Sequence, residues 1–211
     1  AYVIVAKFMD SLPLYRQEMI FKRLSIDLSR STLSNWVLKS AELLNPFYDR
    51  LHEHLIRQKI IQADETTLNV IKDGRETKSK SYMWLYQSGG HQSEHPIVLY
   101  DYQATRAGQH AKTFLQGFSG HLQVDGFAGY HVLEADDCFL VGCMAHARRK
   151  FDEALKALPK ASRHNKMGMV QTALRKITRL YAIEKQIKDL TTEQRYLIRM
   201  EKSKPILDDL K

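Results

Sequence analysis

Leu122-Gln123-Val124-Asp125-Gly126-Phe127 is the stretch on which the fold of this 211-residue chain turns. A short apolar strand is closed by a carboxylate, and Gly126 allows a tight exit from it. Ile61-Gln62-Ala63-Asp64-Glu65-Thr66-Thr67 is the companion case, an acidic pair set among strand formers. Such a pair costs strand propensity and desolvation unless it finds a partner. Either acid alone could cap a helix or sit in a surface turn. Strand ends in α/β sheets are where sites are built, and two carboxylates brought together there would hold a divalent metal ion.

Working outward, the period is two from Ile60 onward, with expected strands at 60–71, 81–87 and 96–102. Turns at Lys72-Asp73-Gly74-Arg75 and Ser88-Gly89-Gly90 would join them as a three-stranded meander. Beyond it, 106–116 reads as a helix ended by Gly117, 121–124 as a buried strand, 126–134 as a second helix, and 138–144 as a strand running into a helix over 145–158. The order βββαβαβα implies a mixed α/β sheet whose last strands are parallel, because helical crossovers separate them.

Before the sheet, apolar residues recur at helical spacing from Leu12 to Leu24, with Pro13 in the first turn. After a break at 25–27, Ser29-Arg30-Ser31-Thr32 offers capping side chains for a second helix to about Gln58, interrupted or kinked at Asn45-Pro46. Leu33 and Trp36 read as core. The pair resembles a helix-turn-helix, whose second helix would begin with polar residues suited to phosphate or base contacts. After a boundary at 159–165 the chain reads as helix over 167–190, and Thr191 with Gln194 resembles a capping box opening one more helix to about Lys202. The expected organisation is a helical segment over 1–58, an α/β sheet core over 59–158 and a further helical part over 159–211, with the sequence continuing past Lys211.

The charge distribution favours a polyanionic partner. The chain carries +8 at neutral pH with a pI near 9.4. Residues 1–60 contribute +3, residues 61–144 contribute −4 and residues 145–211 contribute +9. An acidic centre between basic ends is what a cation site between two phosphate-contacting surfaces produces, and a basic, solvated helical face produces it too. Two cysteines, Cys138 and Cys143, cannot form a disulfide scaffold and suit a reducing cytoplasm. No stretch approaches the roughly 18 apolar residues of a membrane span, so insertion into a membrane is not expected.

Five segments, in order, resemble the insertion-sequence-66 family of bacterial transposases. They are Leu12-Pro13-Leu14-Tyr15-Arg16-Gln17, the run from Ser29 to Trp36, Ala63-Asp64-Glu65-Thr66, the run from Leu122 to Tyr130, and the run from Gly142 to Phe151. The resemblance implies a ribonuclease-H-like core that uses an Asp, Asp, Glu triad and Mg2+, with Mn2+ as a substitute, to cleave transposon ends and join the 3′-hydroxyl to target DNA. It further implies a homo-oligomer assembled on DNA in the bacterial cytoplasm, associated with the nucleoid. By motif, the first two acids are Asp64 and Asp125. The third, a Glu in an Asn- and Arg-rich segment, is expected beyond Lys211, so this chain alone is expected not to complete the reaction.

Cys143 and His146 form a CxxH spacing, half of a zinc site with no second pair. The resemblance gives them an architectural place near the active site, His146 orienting a phosphate or a carboxylate; a buried thiol and a hydrogen-bonded His at a strand-to-helix corner is the other reading. Arg148, Arg149 and Lys150 follow directly and are candidate phosphate contacts, although three adjacent helix residues cannot all face one way. Glu153 reads as an exposed helix residue. Rival readings of the whole are a non-catalytic DNA-binding regulator and a ribonuclease-H-like nuclease.

Overall fold

The computed structural model describes residues 1–70, 75, 80–89, 96–134, 137–159 and 168–210. At its centre is a five-stranded mixed sheet of β1 (Ile60–Leu68), β2 (Ser81–Ser88), β3 (Val98–Gln103), β4 (Gly120–Val124) and β5 (Cys138–Gly142), in the order β3-β2-β1-β4-β5. β1, β2 and β3 form the expected antiparallel meander, and β4 and β5 add in parallel beside β1. The parallel additions follow from the crossovers: α4 (Gly108–Phe114) precedes β4, and a 3-10 segment (Ala128–Leu133) precedes β5.

Side chains alternate across β1. Ile61 and Ala63 are buried on the core face, where Trp84, Tyr86, Leu99, Leu122 and Val124 join them. Ala111 and Leu115 from the α4 side and Tyr130 and Leu133 from the 3-10 segment close this core. Tyr86 stacks on Phe114 at 3.9 Å between centroids, and Trp84 meets Tyr130 edge-on at 5.7 Å. The opposite face of β1, carrying Gln62, Asp64 and Thr66, is left to the site.

Helices flank the sheet in chain order: α1 (Tyr2–Phe8), α2 (Leu14–Arg23) and α3 (Arg30–Ile56) before it, then α5 (Met144–Ala157), α6 (Met169–Gln186), α7 (Thr192–Ile198) and α8 (Lys204–Asp208). The Ser29 hydroxyl caps α3 by accepting from the Thr32 backbone N–H at 3.2 Å. α3 runs through Pro46 as one 27-residue helix, so of the interruption or kink expected at Asn45-Pro46 the interruption does not occur. Residues 41–50 are exposed on every side, so water can take the place of the bond that the proline removes from the Glu42 carbonyl.

Trp36 is also corrected: Leu33 is fully buried, but Trp36 is 46% exposed. The segment expected as a helix over 126–134 is the shorter 3-10 turn, because Gly126, at φ +93°, and the extended Phe127 delay its start. α1, where no helix was expected, buries Val3 and Ala6.

The Thr191–Gln194 capping box forms as expected, but the helix it opens passes through a π turn at Arg199–Ser203 before α8. α5 packs against α6, and Leu180, Ile183, Ile187 and Ile206 make a second small core. The expected turn at 72–74 and most of the expected boundary, 160–165, lie outside the described residues.

Candidate metal centre

Register brings the two acids together. β1 and β4 run parallel with Gln62 level with Gln123, and the two side chains bond across the strands, Gln62 Nε2 donating to Gln123 Oε1 at 2.7 Å. Two residues further along each chain, on the same face, stand Asp64 and Asp125. Each Gln thus serves as a marker for the acid above it.

The third contributor is His146, in the first turn of α5. Its approach is fixed by the strand-to-helix corner, where the Cys143 backbone N–H donates to the Val124 carbonyl at 2.8 Å. One donor atom from each of Asp64, Asp125 and His146 lies within 4.8 Å of the other two. His146 Nε2 is 3.7 Å from Asp64 Oδ2. Asp64 is half exposed, and Asp125 and His146 are each 22% exposed, so the group sits at the floor of an open cleft.

Asp125 is held from behind. Its Oδ1 accepts the Phe127 backbone N–H at 2.8 Å, and Arg106 Nη2 stands 3.7 Å from its Oδ2. Arg106 is committed chiefly to Glu65, whose side chain is entirely buried: Nε donates to Oε1 at 2.8 Å, and the Tyr130 hydroxyl donates to Oε2 at 2.6 Å. The guanidinium also lies over the Phe127 ring at 3.9 Å. Desolvation opposes the charge on Arg106, but the Glu65 hydrogen bond and charge, with Asp125 behind them, hold its pKa above the ordinary value. Burial, then the bond to Glu65, pushes the Tyr130 phenol far up, so it serves as a fixed donor.

Consecutive acids on one strand therefore do different work, Asp64 facing the cleft and Glu65 anchoring the core side. Glu65 entered the sequence reading only as one of an acidic pair, and Arg106 and Tyr130 were not picked out as its partners. The usable signal was parity, since Glu65 shares the face of Ile61 and Ala63, where a carboxylate must be paired.

The remaining candidates separate. Arg149 and Lys150 line the cleft with the acids, as does Glu153, which is exposed and not one of the three grouped donors. Arg148 does not line it. Cys143 is a free, partly buried thiol that starts α5 and does not join the donors either; Cys138 is buried in β5. Among the described residues no helix is long and apolar enough to cross a membrane.

Comparison with known proteins gives the context of this site. The model of the family described as Transposase IS66 family matches residues 1–211. Among curated relatives, the uncharacterized protein y4qI of Sinorhizobium fredii (strain NBRC 101917 / NGR234) is 32% identical over 224 residues, covering 100% of this chain and 40% of the relative. From the same strain, the uncharacterized proteins y4jD and y4hP are 32% and 31% identical, with 100% of this chain covering 42% and 40% of them. The chain thus spans about two fifths of the length of these relatives. With an ordered set of motifs and a family match along its whole length, the chain belongs to the IS66 family of transposases.

Proposed function

We propose that this chain is the metal-holding part of a transposase catalytic region, which cuts transposon-end DNA and joins the 3′-hydroxyl to target DNA. We read its β3-β2-β1-β4-β5 sheet as ribonuclease-H-like. The observation that carries the reading is the convergence of Asp64 and Asp125 from adjacent parallel strands, with donor atoms within 4.8 Å.

The donor chemistry fits a divalent cation. Two carboxylates on rigid strands repel each other unless a cation joins them, and the nearest guanidinium, Arg106, is already engaged by Glu65. Mg2+, with Mn2+ as a substitute, is the ion assigned to them. When bound, such ions supply Lewis-acid polarisation of the phosphoryl group and neutralise charge in an in-line displacement. Asp64 and Asp125 bind and orient; the sheet keeps their spacing; Arg149 and Lys150 on the cleft wall bind the DNA backbone. Water and the DNA 3′-hydroxyl are the attacking groups, so the chain needs no nucleophile of its own. Glu153 is read as a wall residue of the cleft and not as the third acid that the family resemblance calls for.

The test is strand transfer by a longer family protein carrying the chain. Asp64→Asn and Asp125→Asn should each lower end joining by more than about a hundredfold, since ion placement is lost, while Glu153→Gln should remain active. Retained joining in both Asn variants would favour a non-catalytic DNA-binding regulator. Hydrolysis of RNA–DNA hybrid without any joining would favour a nuclease. Loss of joining in Glu153→Gln would make Glu153 the third acid.

A further inference from the structure

We infer that His146 is a direct metal ligand, so that within this chain the site is an Asp-Asp-His set that takes a first-row transition cation, with Mn2+ as the probe, more tightly than Mg2+. This rests on the reading of Asp64 and Asp125 as the metal-holding pair.

The geometry around the imidazole carries the argument. His146 Nε2 faces Asp64 Oδ2 at 3.7 Å, which is too long for a hydrogen bond. The same spacing suits two ligands of one ion, because metal–ligand distances of about 2.0 to 2.6 Å place neighbouring ligands roughly 3 to 5 Å apart. The 4.8 Å limit on the three donor atoms falls in that range. Among the described residues the other ring nitrogen, Nδ1, is buried with no hydrogen-bond partner. The polar work of the ring is therefore done on the Nε2 side, among two carboxylates. An imidazole nitrogen in this position offers a lone pair to a cation held by the two carboxylates.

The placement is built into the fold. The Cys143–Val124 backbone bond ties the start of α5 to the strand that carries Asp125. His146 then comes one turn later on the wall that also bears Arg149 and Lys150. Cys143, the other half of the CxxH spacing, positions the corner and does not ligate.

Donor type sets the preference. Oxygen-only sites suit Mg2+, whereas an imidazole nitrogen shifts a site toward transition ions.

The experiment is electron spin-echo envelope modulation on the Mn2+-loaded chain, prepared with 14N- or 15N-labelled histidine, together with Mn2+ and Mg2+ titrations. Wild type should show nitrogen modulation that changes with the label. In His146→Asn the modulation should vanish, Mn2+ affinity should fall by about ten- to a hundredfold, and Mg2+ affinity should change by less than about threefold. Bound Mn2+ without nitrogen modulation, or modulation that persists in His146→Asn, overturns the assignment and leaves the Asp64–Asp125 site standing. Absence of Mn2+ binding to wild type, or undiminished binding in Asp64→Asn and Asp125→Asn, overturns both readings.

Discussion

Arg106 stands between Glu65 and Asp125, bonded to the buried Glu65 by Nε at 2.8 Å and 3.7 Å from Asp125 through Nη2. One cation thereby compensates a core carboxylate and steadies a cleft carboxylate. Removing it strands Glu65 with, among the described residues, the Tyr130 donor alone. Arg106→Met should cost about 2 to 4 kcal/mol in urea denaturation, below a fully buried pair because Arg106 is 40% exposed. Glu65→Gln in the same background should recover part of that loss. Additive losses in the double variant would contradict the pairing.

The position of that network depends on a close backbone approach. A Cβ added at Gly108 would meet the Gly129 carbonyl oxygen at 1.9 Å, so α4 and the 3-10 segment fit together only with glycine there. Gly108→Ala should destabilise the chain by about 1 to 3 kcal/mol, measured by thermal unfolding. It should also weaken Mn2+ binding, because Arg106 and Tyr130 flank this contact. An unchanged melting temperature would show that the two segments separate without cost.

The sheet was legible because its connections constrain it. Turn-forming sequence between the strand patterns reads β1 to β3 as a meander, and helical or turn crossovers make β4 and β5 parallel. Asp64 and Asp125 stood out because acids are costly in apolar strands. What sequence concealed was long-range pairing: Glu65 finds Arg106 and Tyr130 at separations of 41 and 65 residues, and no local pattern selects those partners.

Helix details failed for local reasons. Trp36 has core character but is left half open on α3, and a proline that normally breaks a helix is absorbed where the backbone is solvated. His146 was placed near the site by its motif, but its distance to Asp64 depends on the Cys143–Val124 corner, which only the assembled sheet creates.

Arg149 and Lys150 line the cleft and Arg148 does not, so their effects on DNA should differ. In duplex binding measured across salt concentrations, Arg149→Ala and Lys150→Ala should each reduce the log–log slope by about 0.9 and weaken binding uniformly across sequences. Arg148→Ala should leave the slope within error. Equal effects from all three would place the DNA elsewhere.

The C-terminal helices should respond to acid. The Arg199 hydrogen bond, against desolvation and with the charges of Arg199 and Arg195, holds the Glu184 carboxyl below its ordinary range. A depressed folded-state pKa gives stability that is present above the unfolded value of about 4.5 and is lost as pH falls through the folded value. Glu184 is 39% exposed, so the effect should be under about 1 kcal/mol. Glu184→Gln should be less stable than wild type at pH 7, with the difference shrinking as pH falls below about 4.5. A difference that grows on acidification would reverse the sign and refute the account.

The most direct measurement is a crystal structure of the chain soaked in Mn2+, with anomalous scattering collected near the manganese edge. The account predicts an anomalous peak bound by one oxygen each from Asp64 and Asp125, and no such peak in Asp125→Asn. A fully soaked crystal with no peak between those carboxylates, or with manganese bound only elsewhere, would contradict it.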